Sequence, residues 1–259
     1  MMRIPIYQID AFTAKTFGGN PAAVCPLPAW IDDRLMQSIA AESNLAETAF
    51  IVPEGGGYRI RWFTPTDEGD LCGHATLASA HVVFAHLRPA ATVVTFESLS
   101  GPLHVAKKDG KIALDFPARP AVPCDPTALA AALREAPVEA LKAQAYLALY
   151  ATEDDVRALA PDMQALAALD AYGVIVTAPG KDVDFVSRFF APKVGIPEDP
   201  VTGSAHSTLA LYWANRLGKT VLRARQVSAR VGELWCEMKG DRVIITGHTS
   251  PYLEGFIEL

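Results

Sequence analysis

The sequence predicts an α+β protein made of two pseudo-symmetric domains, and three observations support this. One motif occurs twice: a strand that ends in Phe-x-Pro is followed by an aspartate and then by an apolar helix beginning with histidine, at 61–78 and again at 188–210. Alternating, strand-like segments flank both copies. Both helices are apolar on nearly every face, as buried helices are. We therefore expect each domain to be a curved, mostly antiparallel sheet or barrel wrapped around a central apolar helix.

The elements of the first half follow from hydrophobic periodicity and turn residues. Asn44 is expected to end the first helix in the left-handed conformation, and Gly55–Gly57 are expected to form a tight turn between two strands. The predicted elements, in order, are strand 4–12, helix 32–43, strands 47–52 and 58–63, helix 73–87, and strands near 93–97, 103–107 and 112–116.

The second half repeats the strand–turn–strand pattern at 234–238 and 243–246. A proline-rich connection separates the halves, because prolines recur at every third position and keep the chain extended: Pro117, Pro120, Pro123 and Pro126. We therefore predict domains at 1–117 and 118–259. A C-terminal strand, about 250–259, could return to the first domain.

Composition narrows the possible functions. The chain has 259 residues, half of them hydrophobic, and a net charge of −6 without a run of like charges, so nucleic acid is not expected as its main partner. One basic stretch is interpreted as a strand face or subunit contact rather than an anion pocket: Arg216, Lys219, Arg223, Arg225 and Arg230. The N-terminus lacks the features of a signal peptide, and the longest apolar stretch, 71–85, is too short to span a bilayer. These features predict a cytoplasmic protein without a membrane partner.

Metal and disulfide chemistry are not expected. The four cysteines are scattered and form no Cys-x-x-Cys pair. The spacing of His74, His81 and His86 lacks the paired histidines with an intervening glutamate that are typical of metallohydrolases. Cys72 differs from the other cysteines because it lies in a turn that opens a helix, where backbone dipoles can lower the pKa of a thiol.

The first turns of the two buried helices are candidates for binding an anion. Each carries N–H groups without intrahelical partners and the positive end of a helix dipole, which together suit a substrate carboxylate. If the two domains face each other, these turns line the cleft between them. The alternative is that Asp70, Asp199 and Ser204 only cap the helices.

Four segments in this order resemble the signature segments of the PhzF-like family of phenazine-biosynthesis proteins, and the resemblance spans almost the whole chain. The segments are Gly19–Val24, Asn44–Phe50, Leu71–Thr76 and Glu198–His206. The resemblance implies a diaminopimelate-epimerase-like fold, a homodimer, and an isomerase that uses no metal or organic cofactor.

Matched by motif, Glu47 corresponds to the family's catalytic carboxylate, and His74 and Asp199 correspond to its supporting polar residues. The positions that match substrate-carboxylate contacts are Gly73, Gly203 and Ser204, and Cys72 adjoins them. In the phenazine enzymes the carboxylate moves a proton between carbons of a dihydro-hydroxyanthranilate ring. For this chain we expect that compound or another small cyclic or unsaturated carboxylate as substrate. Since apolar residues follow Glu47 on its own strand face, we expect poor hydration and a raised pKa.

Two alternatives remain open at this stage. A racemase or epimerase with this fold would use two opposed thiols, but the second half offers Thr202 and Ser204 where Cys72 needs a partner. A non-catalytic, ligand-binding protein is the other alternative, and the retained Glu47 weighs against it. Two departures from the family pattern, Leu211 and Val231, put in question the shape of the second helix and of the loop after Arg230.

Overall fold

The structure is a computed structural model that describes residues 2–259, and these residues form two compact units. The first unit runs to Asp115 and takes up the chain again from Thr246 to Leu259. The second unit runs from Phe116 to Ile245, so it is inserted between two parts of the first. The boundary predicted after residue 117 falls beside the first of these junctions.

The first part of the chain forms strands and two helices at the predicted places. Asp32 caps the first helix by accepting a hydrogen bond from the N–H of Arg34, and Asn44 ends it with φ of 48°, in the left-handed conformation that the sequence predicted. The elements are β1 Arg3–Ala11, β2 Asn20–Pro26, α1 Asp33–Ser43, β3 Glu47–Glu54, β4 Gly57–Phe63, β5 Glu68–Gly69, α2 Gly73–Val82, a π-helical turn Val83–Leu87, β6 Val93–Ser98, β7 Gly101–Lys108 and β8 Lys111–Pro117.

The rest of the chain is also mainly strand. Its elements are β9 Val122–Pro123, α3 Thr127–Leu133, β10 Glu139–Lys142, β11 Tyr146–Leu149, α4 Glu153–Ala158, α5 Met163–Ala167, β12 Val174–Pro179, β13 Phe185–Ala191, a 3-10 turn Pro192–Val194, β14 Ile196–Asp199, α6 His206–Leu217, β15 Val221–Gln226, β16 Gly232–Lys239, β17 Arg242–Gly247 and β18 Thr249–Glu258. The α+β prediction, with a mostly antiparallel sheet and few helices, is confirmed.

The sheet of the first unit is built around β1. This strand pairs antiparallel with β18 on one side and with β2 on the other, while β2 runs parallel to β3. The chain ends are joined next to this pairing, because the N–H of Met2 donates to the carbonyl of Leu259 at 2.7 Å and the N–H of Leu259 donates to the carbonyl of Met2 at 2.9 Å. The C-terminal strand therefore belongs to the same sheet as the N-terminal strand.

The two faces of this sheet are covered by different helices. On one face, Met36 and Ile39 of α1 pack in a cluster with Cys25 of β2 and with Phe50 and Phe63 of β3 and β4. On the other face, α2 packs against β1, β2 and β3. Because side chains alternate along a strand, the odd-numbered residues of β3 face α2.

In the second unit, β12 lies beside β13 in an antiparallel pair, and β13 runs parallel to β15. The central helix α6 packs against β15 and β16, and its Trp213 stacks on Phe185 with ring centroids 5.6 Å apart. The residues of α2 are buried on nearly all sides, as predicted, but α6 is partly exposed at Leu211 and Tyr212. The hydroxyl of Tyr212 donates to Glu139 at 2.7 Å, which explains why a polar group is accommodated there.

The two departures from the family pattern have different structural outcomes. Leu211 lies within a continuous α6, so the helix keeps its regular shape there. Val231 has φ of 54°, a left-handed conformation that a β-branched residue rarely adopts. Its N–H donates to the carbonyl of Ser228 at 3.2 Å, so the loop keeps the turn that glycine would form without strain.

Candidate active site

The first turn of α2 brings Cys72 and His74 together. Cys72 precedes the helix in extended backbone conformation, and its side chain does not cap the helix. Its Sγ lies 3.3 Å from Nδ1 of His74, while its carbonyl accepts a 2.5 Å hydrogen bond from the hydroxyl of Thr76. Asp70 is exposed, and its carbonyl accepts a hydrogen bond from Ser100. The turn therefore presents a thiol and an imidazole in contact.

His74 is a neutral imidazole with one nitrogen available to a ligand. Its side chain is 5 % exposed, and burial lowers its pKa to about 3. Within residues 2–259, its buried Nε2 has no hydrogen-bond partner. A buried polar atom without a partner is costly, so a substrate group that hydrogen-bonds to Nε2 would stabilise the site.

Glu47 lies at the start of β3, on the face of the sheet that α2 covers. It pairs with Ala22 of β2, and Ala49 and Ile51, which follow it on the same face, are fully buried. Its Oε2 is buried, and its Oε1 lies 3.6 Å from the place that a Cβ on Gly69 would take. The carboxylate is thus only partly solvated and lies beside the segment that leads into α2.

A hydrogen-bond network fixes Asp199 before α6. Asp199 is 8 % exposed, and its Oδ2 accepts a 2.6 Å hydrogen bond from the hydroxyl of Thr202. Gln226 of β15 joins both residues: its Nε2 donates to the carbonyl of Asp199 at 2.7 Å, and its Oε1 accepts from the N–H of Thr202 at 2.9 Å. This buried network holds the carboxylate in one orientation.

Gly203 and Ser204 form the turn that enters α6. The carbonyl of Gly203 accepts from the N–H of His206 at 3.1 Å, and the carbonyl of Ser204 accepts from the N–H of Ser207 at 3.2 Å. No side chain caps α6, whose flanking residue is Ala205. The hydroxyl of Ser204 instead lies near that of Tyr172. The capping role considered for Ser204 is therefore not what the structure shows.

His206 is the counterpart of His74 in the second unit. Its Nδ1 lies 2.8 Å from the carbonyl of Thr202, so Nδ1 carries the proton and donates it. Its ring lies 5.9 Å from that of Phe185, and burial lowers its pKa to about 4. The buried Nε2 has no hydrogen-bond partner in the described part of the chain.

The burial of His206 makes the stability of the protein depend on pH. The pKa of His206 rises from about 4 when folded to its ordinary 6.5 when unfolded, so the unfolded state binds the proton more tightly. The contribution of neutral His206 to the free energy of unfolding is therefore complete above pH 6.5 and is lost as the pH falls toward 4. We expect the free energy of unfolding of His206→Asn to fall less steeply than that of wild type across this window, by about 1.4 kcal/mol per pH unit.

Urea titrations of both proteins at several pH values measure this difference, and asparagine keeps a side-chain N–H donor for the carbonyl of Thr202. Parallel pH dependence in the two proteins would contradict a depressed pKa for His206, whatever the constant loss of stability caused by the smaller side chain.

The structure adds residues that the sequence did not single out. The sequence marks Thr202 only as a position without a thiol, and no motif marks Gln226 or Tyr172. Gln226 reaches Asp199 from a strand that is 27 positions away in the chain. No local pattern signals such a contact, although an isolated glutamine in an otherwise alternating strand is a polar residue on a buried face.

The basic stretch is matched by acidic residues. Arg216 pairs with Glu139 and Lys219 with Asp184, while Arg225 pairs with both Asp182 and Glu233. The first interpretation, a charged strand face, fits these contacts better than an anion pocket. Across residues 2–259 there is no group of three or more His, Cys, Asp or Glu side chains arranged as metal ligands, and no helix is long and apolar enough to cross a membrane.

Comparison with known proteins gives the family. The family model described as phenazine biosynthesis-like protein, PhzC-PhzF, matches residues 9–255. This chain belongs to the PhzC-PhzF family. A protein named an uncharacterized isomerase from Pseudomonas aeruginosa is 51 % identical over 259 residues, which cover 100 % of both chains. The chain is a PhzF-like isomerase.

Solved structures place the fold in the same family. A PhzF-family crystal structure from Enterococcus faecalis superposes with a TM-score of 0.95 at 49 % identity and covers 100 % of both chains. A structure described as a probable proline racemase from Agrobacterium radiobacter has a TM-score of 0.68 at 12 % identity, covering 99 % of this chain and 93 % of that one. The PhzC-PhzF fold is therefore shared with epimerase-like proteins, as the sequence predicted.

Proposed function

We propose that this protein is a cofactor-independent isomerase that moves a proton between carbons of a small cyclic or unsaturated carboxylate, with Glu47 as acid and base. The observation that carries the proposal is the location of Glu47: its carboxylate lies on the helix-covered face of the sheet, above buried Ala49 and Ile51. A partly desolvated carboxylate can take a proton from one carbon and return it to another.

The other site residues have supporting roles in this proposal. The neutral His74 can hydrogen-bond through Nε2 to an oxygen of the substrate on which charge develops. Asp199, held by Thr202 and Gln226, is expected to assist the later proton transfer. Gly73, Gly203 and Ser204, in the first turns of α2 and α6, are expected to bind the substrate carboxylate. That both turns line one cleft is part of the proposal.

Proton transfer in deuterium oxide tests this function. The protein is incubated with cyclic carboxylates, beginning with a dihydro-hydroxyanthranilate, and deuterium uptake at ring carbon is followed by NMR. We expect uptake at one carbon with migration of the double bond, and no requirement for added metal or organic cofactor. If no carboxylate in the panel exchanges hydrogen at carbon above the uncatalysed rate, the proposal is wrong.

A racemase or epimerase is the second candidate, because Cys72 Sγ contacts His74 and the imidazole could take the proton of the thiol. The corresponding position before α6 is Ser204, so an opposed thiol is missing there. Cys72→Ala separates the mechanisms. Proton exchange that persists in this variant supports Glu47 as the proton carrier, whereas its loss supports the thiol.

We also propose a cytoplasmic homodimer without nucleic-acid or membrane partners. The net charge of −6 without a run of like charges weighs against a nucleic-acid partner, and the family resemblance supports a homodimer. Light scattering at micromolar concentration measures the mass directly, and a monomer would contradict the proposed assembly.

A further inference from the structure

Arg119 is a half-buried cation without an acidic partner. Its guanidinium donates through Nη1 to the side-chain oxygen of Gln144, and none of the carboxylates in residues 2–259 lies within ion-pair distance of it. Other arginines of the second unit are paired: Arg188 with Glu198, Arg223 with Glu233 and Arg225 with Asp182. An uncompensated, partly buried charge is unfavourable unless an anion joins it.

The backbone fixes where this cation lies. Arg119 belongs to the proline-rich segment at the start of the second unit, and its N–H donates to the carbonyl of Ser207 at 3.1 Å. Ser207 is the second residue of α6, so the segment is bound to the first turn of that helix. The proline-rich segment thus runs beside the turn that contains Ser204.

Tyr172 brings a hydroxyl to the same turn. Its ring packs against Phe189 with centroids 5.7 Å apart, and Phe189 is paired with Asp199 across β13 and β14. Gly173 keeps this packing tight, because a Cβ there would come within 2.5 Å of Cζ of Phe189. The Tyr172 hydroxyl lies near the side chain of Ser204.

The charges around this hydroxyl determine what it can bind. Burial raises the pKa of Tyr172, the nearby Ser204 side chain and the charge of Arg119 lower it, and the charge of Asp199 raises it again. The net direction is upward, so the phenol is protonated at neutral pH and can donate a hydrogen bond. Asp199 alone would repel an anion, and Arg119 supplies the opposing charge.

We propose that Arg119 and Tyr172 are specificity-determining residues that bind an anionic group of the substrate beside Ser204. The guanidinium supplies the charge and the phenol supplies a directed donor, and together they select a carboxylate over a neutral amide of the same shape. The inference rests on the proposed function in that the anion belongs to the substrate of the isomerase, but it concerns recognition rather than proton transfer.

Calorimetry with two matched probes tests this selection. Anthranilate carries a carboxylate on a six-membered ring, and 2-aminobenzamide replaces it with a neutral amide. We expect wild type to bind anthranilate at least about tenfold more tightly than 2-aminobenzamide. Arg119→Gln should abolish most of this preference, and Tyr172→Phe should weaken anthranilate binding several-fold with little effect on the amide.

Two matched variants control for the loss of a charge or a hydroxyl elsewhere in the same unit. Arg134→Gln removes an exposed arginine that pairs with Asp162, and Tyr150→Phe removes a hydroxyl that donates to the carbonyl of Glu135. Both should bind the probes as wild type does. Circular dichroism and thermal melts establish that all variants are folded.

The outcomes separate this inference from the proposed function. If wild type shows no preference for anthranilate, or if the Arg119 and Tyr172 variants keep it, the inference is wrong, and deuterium exchange lost only in Glu47→Gln still supports the isomerase. If the preference depends on Arg119 and Tyr172 but no carboxylate exchanges hydrogen at carbon, the anion site stands and the proposed function fails.

Discussion

Glu47→Gln is expected to abolish isomerisation and to leave the fold unchanged. Glutamine has the same size and fills the same place beside Gly69, but it cannot exchange a proton with carbon. General acid–base catalysis raises reaction rates by about 10²- to 10⁴-fold. Because one group serves here as both acid and base, kcat should fall by about 10²-fold or more. The rate of deuterium uptake at carbon measures the loss.

The matched control is Glu54→Gln at the other end of the same strand. Glu54 is exposed and pairs with Arg59 at 3.5 Å, so it carries the same charge on β3 without facing α2. This variant should turn over as wild type does. Full turnover by Glu47→Gln, or an equal loss in Glu54→Gln, would remove Glu47 from the mechanism.

Gly19→Ala is expected to destabilise the first unit severely. Gly19 has φ of +58°, and a Cβ there would lie 2.0 Å from the carbonyl oxygen of Ala11, a backbone atom that cannot move aside. Two penalties combine: the left-handed conformation and the clash. We expect the free energy of unfolding, measured in urea, to fall by more than about 4 kcal/mol. Single substitutions cause losses of this size only through severe effects such as overpacking or backbone strain.

Gly55→Ala separates the two penalties. Gly55 has nearly the same φ, +57°, but nothing lies within 4 Å of its added Cβ. This variant carries only the conformational penalty, about 1–2 kcal/mol. Similar losses in both variants would show that the contact with Ala11 relaxes and that conformation alone requires glycine at position 19.

The fold could be predicted largely because its signals are local. The left-handed Asn44 and the glycine turn between β3 and β4 each lie within a few residues of the element they define. The repeated motif also indicated two similar halves. The π-helical turn after α2 was predicted only as a continuation of the helix, because the residues that form it have ordinary helical periodicity.

The candidate site residues were predicted only where a motif within one segment marks them, as at Glu47. Cys72, Gly73 and His74 lie together in one turn, and Asp199 precedes Ser204 by a few positions. Tyr172, Gln226 and Arg119 come from distant segments, and the sheet register and the proline-rich segment bring them to α6. Contacts of this kind depend on tertiary packing, which hydrophobic periodicity does not encode.

The pairing of β1 with β18 has a consequence for biosynthesis. A ribosome releases β1 before the inserted unit and β18 after it, so the sheet that carries Glu47 lacks an edge partner for β1 until β18 emerges. The inserted unit, from Phe116 to Ile245, is by contrast complete before β18 emerges. A nascent chain that stops short of Thr249 would therefore leave β1 open to pairing with other chains, so β18 protects the protein against aggregation during synthesis.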